Sequence, residues 1–329
     1  MLQALVAYRG KVMERRNPPT LAYLTNWDTK LGWQETIAHP EFHEGAKAKA
    51  EELGFKLDHF WVGEPGLSHT RMSKILQARG ITGLIIASHR RASDVALHFD
   101  WSAFSAVKID YFPHEPELHQ VNSDRCSIIR LGMDHAHKLG YRRIGAIMHR
   151  GWDHAVDHFW KAGFLVAQSM QPKSEHVPMM LFPDLEPSEA WMTETKKDVT
   201  ASTADFKKWY EEHRPEVIVS KRAFVQPCLY ELGLRVPEDV ALVDLFLEDT
   251  DGAVAGVRQN NRAVGELALE ILADQLHYHK FGVPEIPTRT QGEGTWFDGA
   301  TCPPSSEIAP SLEAASIKKT AEPKRVKKA

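Results

Sequence analysis

Apolar positions along this chain follow two rhythms that take turns. Short apolar runs of four to seven residues alternate with longer stretches whose apolar residues recur every three or four positions. Leu21–Asn26, after Pro18-Pro19, reads as a strand. Pro40–Leu53 reads as an amphipathic helix, with Phe42, Ala46, Ala50 and Leu53 at helical spacing and Gly54 as its stop. Lys56–Val62 is a strand, and Ser68 caps a helix that runs to Arg79 and ends at Gly80. Gly83–Ser88 and Ala106–Asp110 read as strands, Arg125–Leu139 as a helix stopped by Gly140, and Ile144–Met148 as the next strand. The second half continues: helix Asp153–Ser169, strand Met179–Phe182, helix Thr203–His213, strand Val217–Ser220, helix Phe224–Leu232, strand Ala241–Leu245. Arg262–His277 is a long amphipathic helix carrying Val264, Leu267, Ala268, Ile271, Leu272 and Leu276 on one face. Gly292-Glu293-Gly294 reads as a turn before a last strand. Strand and helix in alternation predict an α/β protein with parallel sheets covered on both faces.

Composition narrows this picture. A length of 329 residues with 43% hydrophobic residues exceeds one ordinary domain and suits a two-lobed unit. The net charge of −4 carries no global signature for nucleic acid. Three scattered cysteines, Cys126, Cys228 and Cys302, argue for a reducing compartment and against a disulfide framework. No apolar run approaches the roughly 20 residues that span a bilayer. In Met1–Arg16 the basic residues follow the apolar ones, the reverse of a secretory signal, so a cytoplasmic protein is expected. From Pro303 onward Ser, Pro, Ala, Glu and Lys dominate, up to Lys324-Arg325-Val326-Lys327-Lys328, and residues 303–329 read as a disordered basic tail.

Enzyme motifs are missing: the sequence contains no dinucleotide-binding glycine run, P-loop or nucleophile elbow. Among 17 histidines, His154 and His158 stand one helical turn apart, a spacing that can chelate zinc, but neither an HExxH pattern nor a third ligand accompanies them. His135 and His137 diverge on a helix. A non-enzymatic protein without metal or cofactor is expected.

One stretch points further. Gly233-Leu234-Arg235-Val236-Pro237-Glu238-Asp239-Val240 joins a helix stop to a proline turn and a strand. It resembles the "GlrVPeDv" signature of the LacI/GalR family of transcription regulators. Other segments match the same family in order. Leu21–Asn26 resembles its first strand and Pro40–Gly54 its first helix. Gly80-Ile81-Thr82-Gly83-Leu84-Ile85-Ile86 resembles "vDGiil", and Val121-Asn122-Ser123-Asp124 with Leu139-Gly140-Tyr141-Arg142-Arg143-Ile144 resembles "V..D…hL..lGhrrIa". Gly163-Phe164, then Val257-Arg258-Gln259-Asn260-Asn261 with Val264-Gly265, complete the series over roughly residues 20 to 302. The resemblance implies a periplasmic-binding-protein-like fold: two Rossmann-like lobes joined by hinge crossovers, with a small effector in the cleft. It implies a division into residues 1–17 (hinge-helix remnant), 18–148 plus 257–281 (first lobe), 149–256 plus 282–302 (second lobe) and the tail.

The family's DNA-binding headpiece carries a "TVSraLn"-type run that has no counterpart here. Met1–Arg9 resembles the hinge helix that follows it, and Leu5 is the counterpart of the leucine that wedges into the minor groove. Operator DNA is therefore a partner only where a headpiece is present. The helices Pro40–Leu53 and Ser68–Arg79 lie where the family forms its homodimer. A stand-alone solute-binding protein of the same fold is the alternative.

The effector residues follow from the same comparison. Sugar-binding relatives clamp hydroxyl groups with an arginine and an aspartate. Counting from the motifs, those positions are Trp160 and Phe246 here, either stacking platforms for a ligand or core filling. Asp110 matches a retained acidic position, or caps a turn. Asn261, following Gln259-Asn260, matches a position that in the family often stacks on the ligand through an aromatic ring, and Gln259 is a candidate beside it. Asn26 and Trp27 lie at one strand mouth, Ser220, Lys221 and Arg222 at another, and His154 and His158 on the helix predicted to carry Trp160. The expected effector is a sugar or a derivative of one.

Overall fold

The computed structural model describes residues 18–87, 96–111, 115–183 and 200–307. In chain order the regular elements are β1 (Thr20–Thr25), α1 (Ala38–Glu52), β2 (Lys56–Trp61), α2 (His69–Ala78), β3 (Gly83–Ile86), β4 (Ser105–Ile109), β5 (His119–Ser123), α3 (Arg125–Lys138) and β6 (Ile144–His149). They continue as α4 (Arg150–Ala155), α5 (Phe159–Ser169), β7 (Met180–Phe182), α6 (Thr203–His213), β8 (Val217–Ser220), α7 (Arg222–Glu231) and β9 (Ala241–Asp244). Last come β10 (Ala255–Arg258), α8 (Asn261–His277), β11 (Arg289–Gly292) and β12 (Thr295–Phe297). The chain forms two compact units, one containing residues 18–87, 96–111, 115–124 and 259–294, the other residues 125–183, 200–258 and 295–307.

The sheet of the first unit runs β11-β5-β4-β3-β1-β2, and every pairing is parallel. Leu21, Tyr23, Ile85, Val107 and Val121 face Phe42, Ala46 and Ala50 of α1 and Val264, Ala268 and Leu272 of α8. Ala22, Leu24, Leu84 and Ile86 face Met72 and Leu76 of α2 on the other side, with Phe99 and Phe104. The buried faces of α1 and α8 are those predicted from periodicity. The helices α1 and α8 touch through glycine: a Cβ on Gly45 would sit 1.9 Å from the Arg262 carbonyl oxygen, and one on Gly265 2.0 Å from that of Phe42.

The second unit's sheet runs β12-β10-β9-β8-β6-β7, parallel except for β12 against β10. Here α3 and α5 meet at Gly163, where a Cβ would lie 2.5 Å from the Cys126 carbonyl oxygen.

Three expectations are corrected. The first unit ends at Asp124, not at residue 148, because β6 pairs with β7 and β8; and it resumes through Gly294, because β11 pairs with β5. Local periodicity is the same in either sheet and does not tell which one a strand joins. The single helix predicted over Asp153–Ser169 is two, α4 and α5, separated where Asp157 and His158 adopt left-handed backbone (φ 54° and 59°). Residues 303–307 belong to the fold: the Tyr141 hydroxyl donates to the Pro303 carbonyl (2.7 Å) and the Ser305 N–H to that of Leu139 (2.8 Å). Residues 308–329 and the hinge-helix reading with Leu5 lie outside the described residues.

Candidate functional site

Open α/β sheets take ligands at the carboxyl ends of their strands. In the second unit those ends converge on aromatic side chains. His149, fully buried at the end of β6, accepts the Trp152 N–H on Nδ1 (3.3 Å) and so starts α4. Its ring meets Phe182 from β7 edge-on at 5.4 Å, and Phe182 meets Phe224 of α7 at 5.1 Å. Trp152 stands edge-on to Phe224 (5.1 Å) and to Phe246 after β9 (5.7 Å). Phe246 also touches Trp160 (5.3 Å), over which the Arg125 guanidinium lies at 5.6 Å. Lys221, at the end of β8, places its ammonium 4.8 Å from the Trp152 ring centroid.

Of the residues read from sequence, Trp160 and Phe246 are in contact. Trp160 is 1% exposed and fills the interior, while Phe246 is half-buried. Ser220 is buried, and its hydroxyl donates to the Ile147 carbonyl (2.8 Å), so that group is used inside the sheet. His158 pairs through Nδ1 with the buried Asp153 carboxylate (2.8 Å), whose other oxygen accepts the Lys161 N–H (3.0 Å). His154 meets His158 edge-on, but the break before α5 takes both off the helix that carries Trp160. No group of three His, Cys, Asp or Glu among the described residues could hold a metal ion.

Sequence reasoning missed Asp244. It ends β9 and is 9% exposed; its Oδ1 accepts the N–H groups of Phe246 (2.9 Å) and Arg222 (3.3 Å). Burial raises its pKa, while those N–H groups and the charges of Arg222 and Lys221 pull it back. Trp152 and Phe224 were missed too, because each is an ordinary helical aromatic until β6, β8 and β9 bring them together.

In the first unit, Asn26 and Trp27 follow β1 and are buried; the Trp61 indole donates to the Trp27 carbonyl (2.8 Å), and Trp27 meets His39 edge-on. Asp110 adopts left-handed backbone (φ 65°) and donates its N–H to Val121 (2.9 Å), the turn geometry its short polar side chain tolerates. Gln259 is buried and accepts at its carbonyl from the Ser123 hydroxyl (3.4 Å). Asn261 opens α8 and donates to Glu41 of α1 (3.0 Å). Under α1 lies a ring cluster that no motif signalled: Tyr23, Trp33, His43 and His59, with His59 Nε2 2.7 Å from the Thr25 hydroxyl. Burial, reinforced by His43 and Lys30, holds the His59 imidazole down at about 4, and His43 is lowered for the same first reason.

Comparison with solved structures identifies the fold. The chain is similar to a LacI-family transcriptional regulator protein from Rhizobium etli, at 14% identity and TM-score 0.62, over 86% of this chain and 99% of that one. It is similar to the transcriptional regulator CelR in complex with cellobiose, at 16% identity and TM-score 0.61, over 91% and 90% of the two chains. A third is the LacI-family regulator CcpA from Weissella paramesenteroides with bound glucose, at 12% identity and TM-score 0.56, over 88% and 100%. The chain has the α/β fold of these regulators, built as expected from two units with parallel-dominated sheets. No protein-family model matches the sequence, and no curated protein matches it. No helix among the described residues is long and apolar enough to cross a membrane.

Proposed function

We propose that this chain is the effector-sensing core of a LacI-family transcriptional regulator and binds a small, sugar-like molecule at the carboxyl ends of its strands. The observation that carries the reading is the fold shared over most of the chain with regulators solved with cellobiose and glucose. The ordered sequence motifs support it, and so does the aromatic group at the strand ends of the second unit. Sensing requires that the ligand favour one of two conformations, since a ligand of equal affinity for both shifts nothing. The bias is passed through a homodimer, formed by α1 and α2, to a DNA-binding headpiece where one is attached. The sequence's lack of a dinucleotide-binding glycine run, a P-loop and a nucleophile elbow supports a non-enzymatic reading.

A thermal-shift screen against sugars, sugar acids, polyols and nucleosides tests the reading. A binder at 100 times its Kd adds about 2.7 kcal/mol of stability. The shift is expected to disappear in Phe246→Ala and to weaken in Asp110→Asn, which keeps the left-handed turn. A folded protein with no shift across the panel refutes the sugar-like ligand; a shift that survives both substitutions refutes the site.

A further inference from the structure

The Lys221 ammonium lies against three rings, 4.8 Å from the centroid of Trp152, 5.6 Å from Phe246 and 5.8 Å from Phe224. Trp152 is inclined at 72° to Phe224 and at 64° to Phe246, so the rings form a corner and not a stack. A single cation over a single ring is ordinary, occurring about once per 70–80 residues. An ammonium within 6 Å of three ring centroids is the arrangement of an aromatic box that holds an organic cation. The buried Asp244 carboxyl adds negative charge nearby; the positive charge of Lys221 is among the influences that favour its ionised form. Trp152, Phe246 and Lys221 are only half-buried, which leaves the box partly open to solvent.

Lys221 is a poor permanent occupant. A primary ammonium is compact and strongly hydrated, so it gives up much water on entering an aromatic corner. A methylated ammonium is less hydrated and packs its methyl groups on the ring faces while keeping the charge. From the three rings and the ammonium between them we infer that this box is a cation-recognition subsite. It takes the alkylammonium group of a small ligand, and the Lys221 side chain fills it in the ligand's absence. The inference rests on the effector-sensing reading and narrows its ligand to one bearing an organic ammonium.

The test is calorimetric titration of the full chain with choline and with 3,3-dimethyl-1-butanol, its neutral isostere. Choline is expected to bind at least about tenfold more tightly than the alcohol. Lys221→Ser removes the internal competitor and keeps a residue suited to start α7, so choline affinity should rise about fivefold or more. Trp152→Ala should lose choline about tenfold, and Trp152→Phe should restore most of it, which a loss of folding would not do. Equal binding of alcohol and choline, or no gain in Lys221→Ser, overturns the proposal. A sugar detected by thermal shift, with no choline binding to Lys221→Ser, overturns the cation subsite and leaves the sensor reading standing. Choline binding without any sugar response keeps the subsite and removes the sugar-like ligand.

Discussion

Gly265→Ala is expected to destabilise the first unit although alanine is the better helix former. The added Cβ would lie 2.0 Å from the Phe42 carbonyl oxygen and 2.9 Å from the Ala46 nitrogen, both backbone atoms of α1. Neither can rotate away, so α1 and α8 must separate by about 1 Å to reach even the tightest tolerated contact. That displacement loosens Phe42, Ala46, Val264 and Ala268, all fully or nearly fully buried. A gap of 0.5–1 Å forfeits about a quarter to a half of each contact's dispersion energy. Overpacking costs about 1–3 kcal/mol, occasionally more, and the helix-propensity gain offsets about 1 kcal/mol. With the clash on rigid backbone, the upper part of the range applies, and a net loss of about 2 kcal/mol is expected. Urea unfolding followed by far-UV circular dichroism reads this as a midpoint about 1 M lower, for a slope near 2 kcal/mol/M. Lys47→Ala, on the exposed face of α1, should shift stability by less than about 0.5 kcal/mol. A Gly265→Ala midpoint equal to or above that of the unaltered protein would refute the close-crossing argument.

Acid should weaken the first unit through its ring cluster. His59 titrates at about 4 when folded and near 6.5 when unfolded, so between these values the unfolded chain binds more protons and stability falls as pH drops. Discounted for its partial exposure, the loss is about 1–2 kcal/mol by pH 4, and His59→Gln should flatten melting temperature against pH over that window; an unchanged profile would count against the assignment. At pH 8 iodoacetamide should label the half-buried Cys126 and spare Cys228 and Cys302, because burial raises both thiols, Cys302 up to about 12. Peptide mass spectrometry showing all three labelled at one rate would contradict this. Asp153→Ala strips the Lys161 N–H of its acceptor and His158 of its partner, and should cost about 1–3 kcal/mol in thermal unfolding; no change in Tm would show the bend between α4 and α5 to be held by other contacts.

What this chain's sequence determined is local and periodic. Phe42, Ala46 and Ala50 recur every four residues, and so do Val264, Ala268 and Leu272; each set lies on one side of its helix whatever the helix packs against, and all six are buried as read. The alternation of such helices with short apolar strands was enough for an α/β fold with parallel sheets. It did not show β5, β10 or β11, whose sequences His119–Ser123, Ala255–Arg258 and Arg289–Gly292 mix polar and apolar residues and become strands by pairing, β5 with β4 and β11 and β10 with β9 and β12. Nor did it show that β6 belongs to the second sheet, since hydrogen bonds between strands and not side-chain rhythm decide membership. The break between α4 and α5 depends on a buried carboxylate that holds a left-handed turn. The candidate site is the extreme case. Trp160 and Phe246 were legible through motif spacing and Lys221 through its place at a strand end, but Trp152, Phe224 and Asp244 each have an ordinary local context. Only the sheet order β9-β8-β6 brings their strand ends side by side, and proximity across strands is a property that no local pattern encodes.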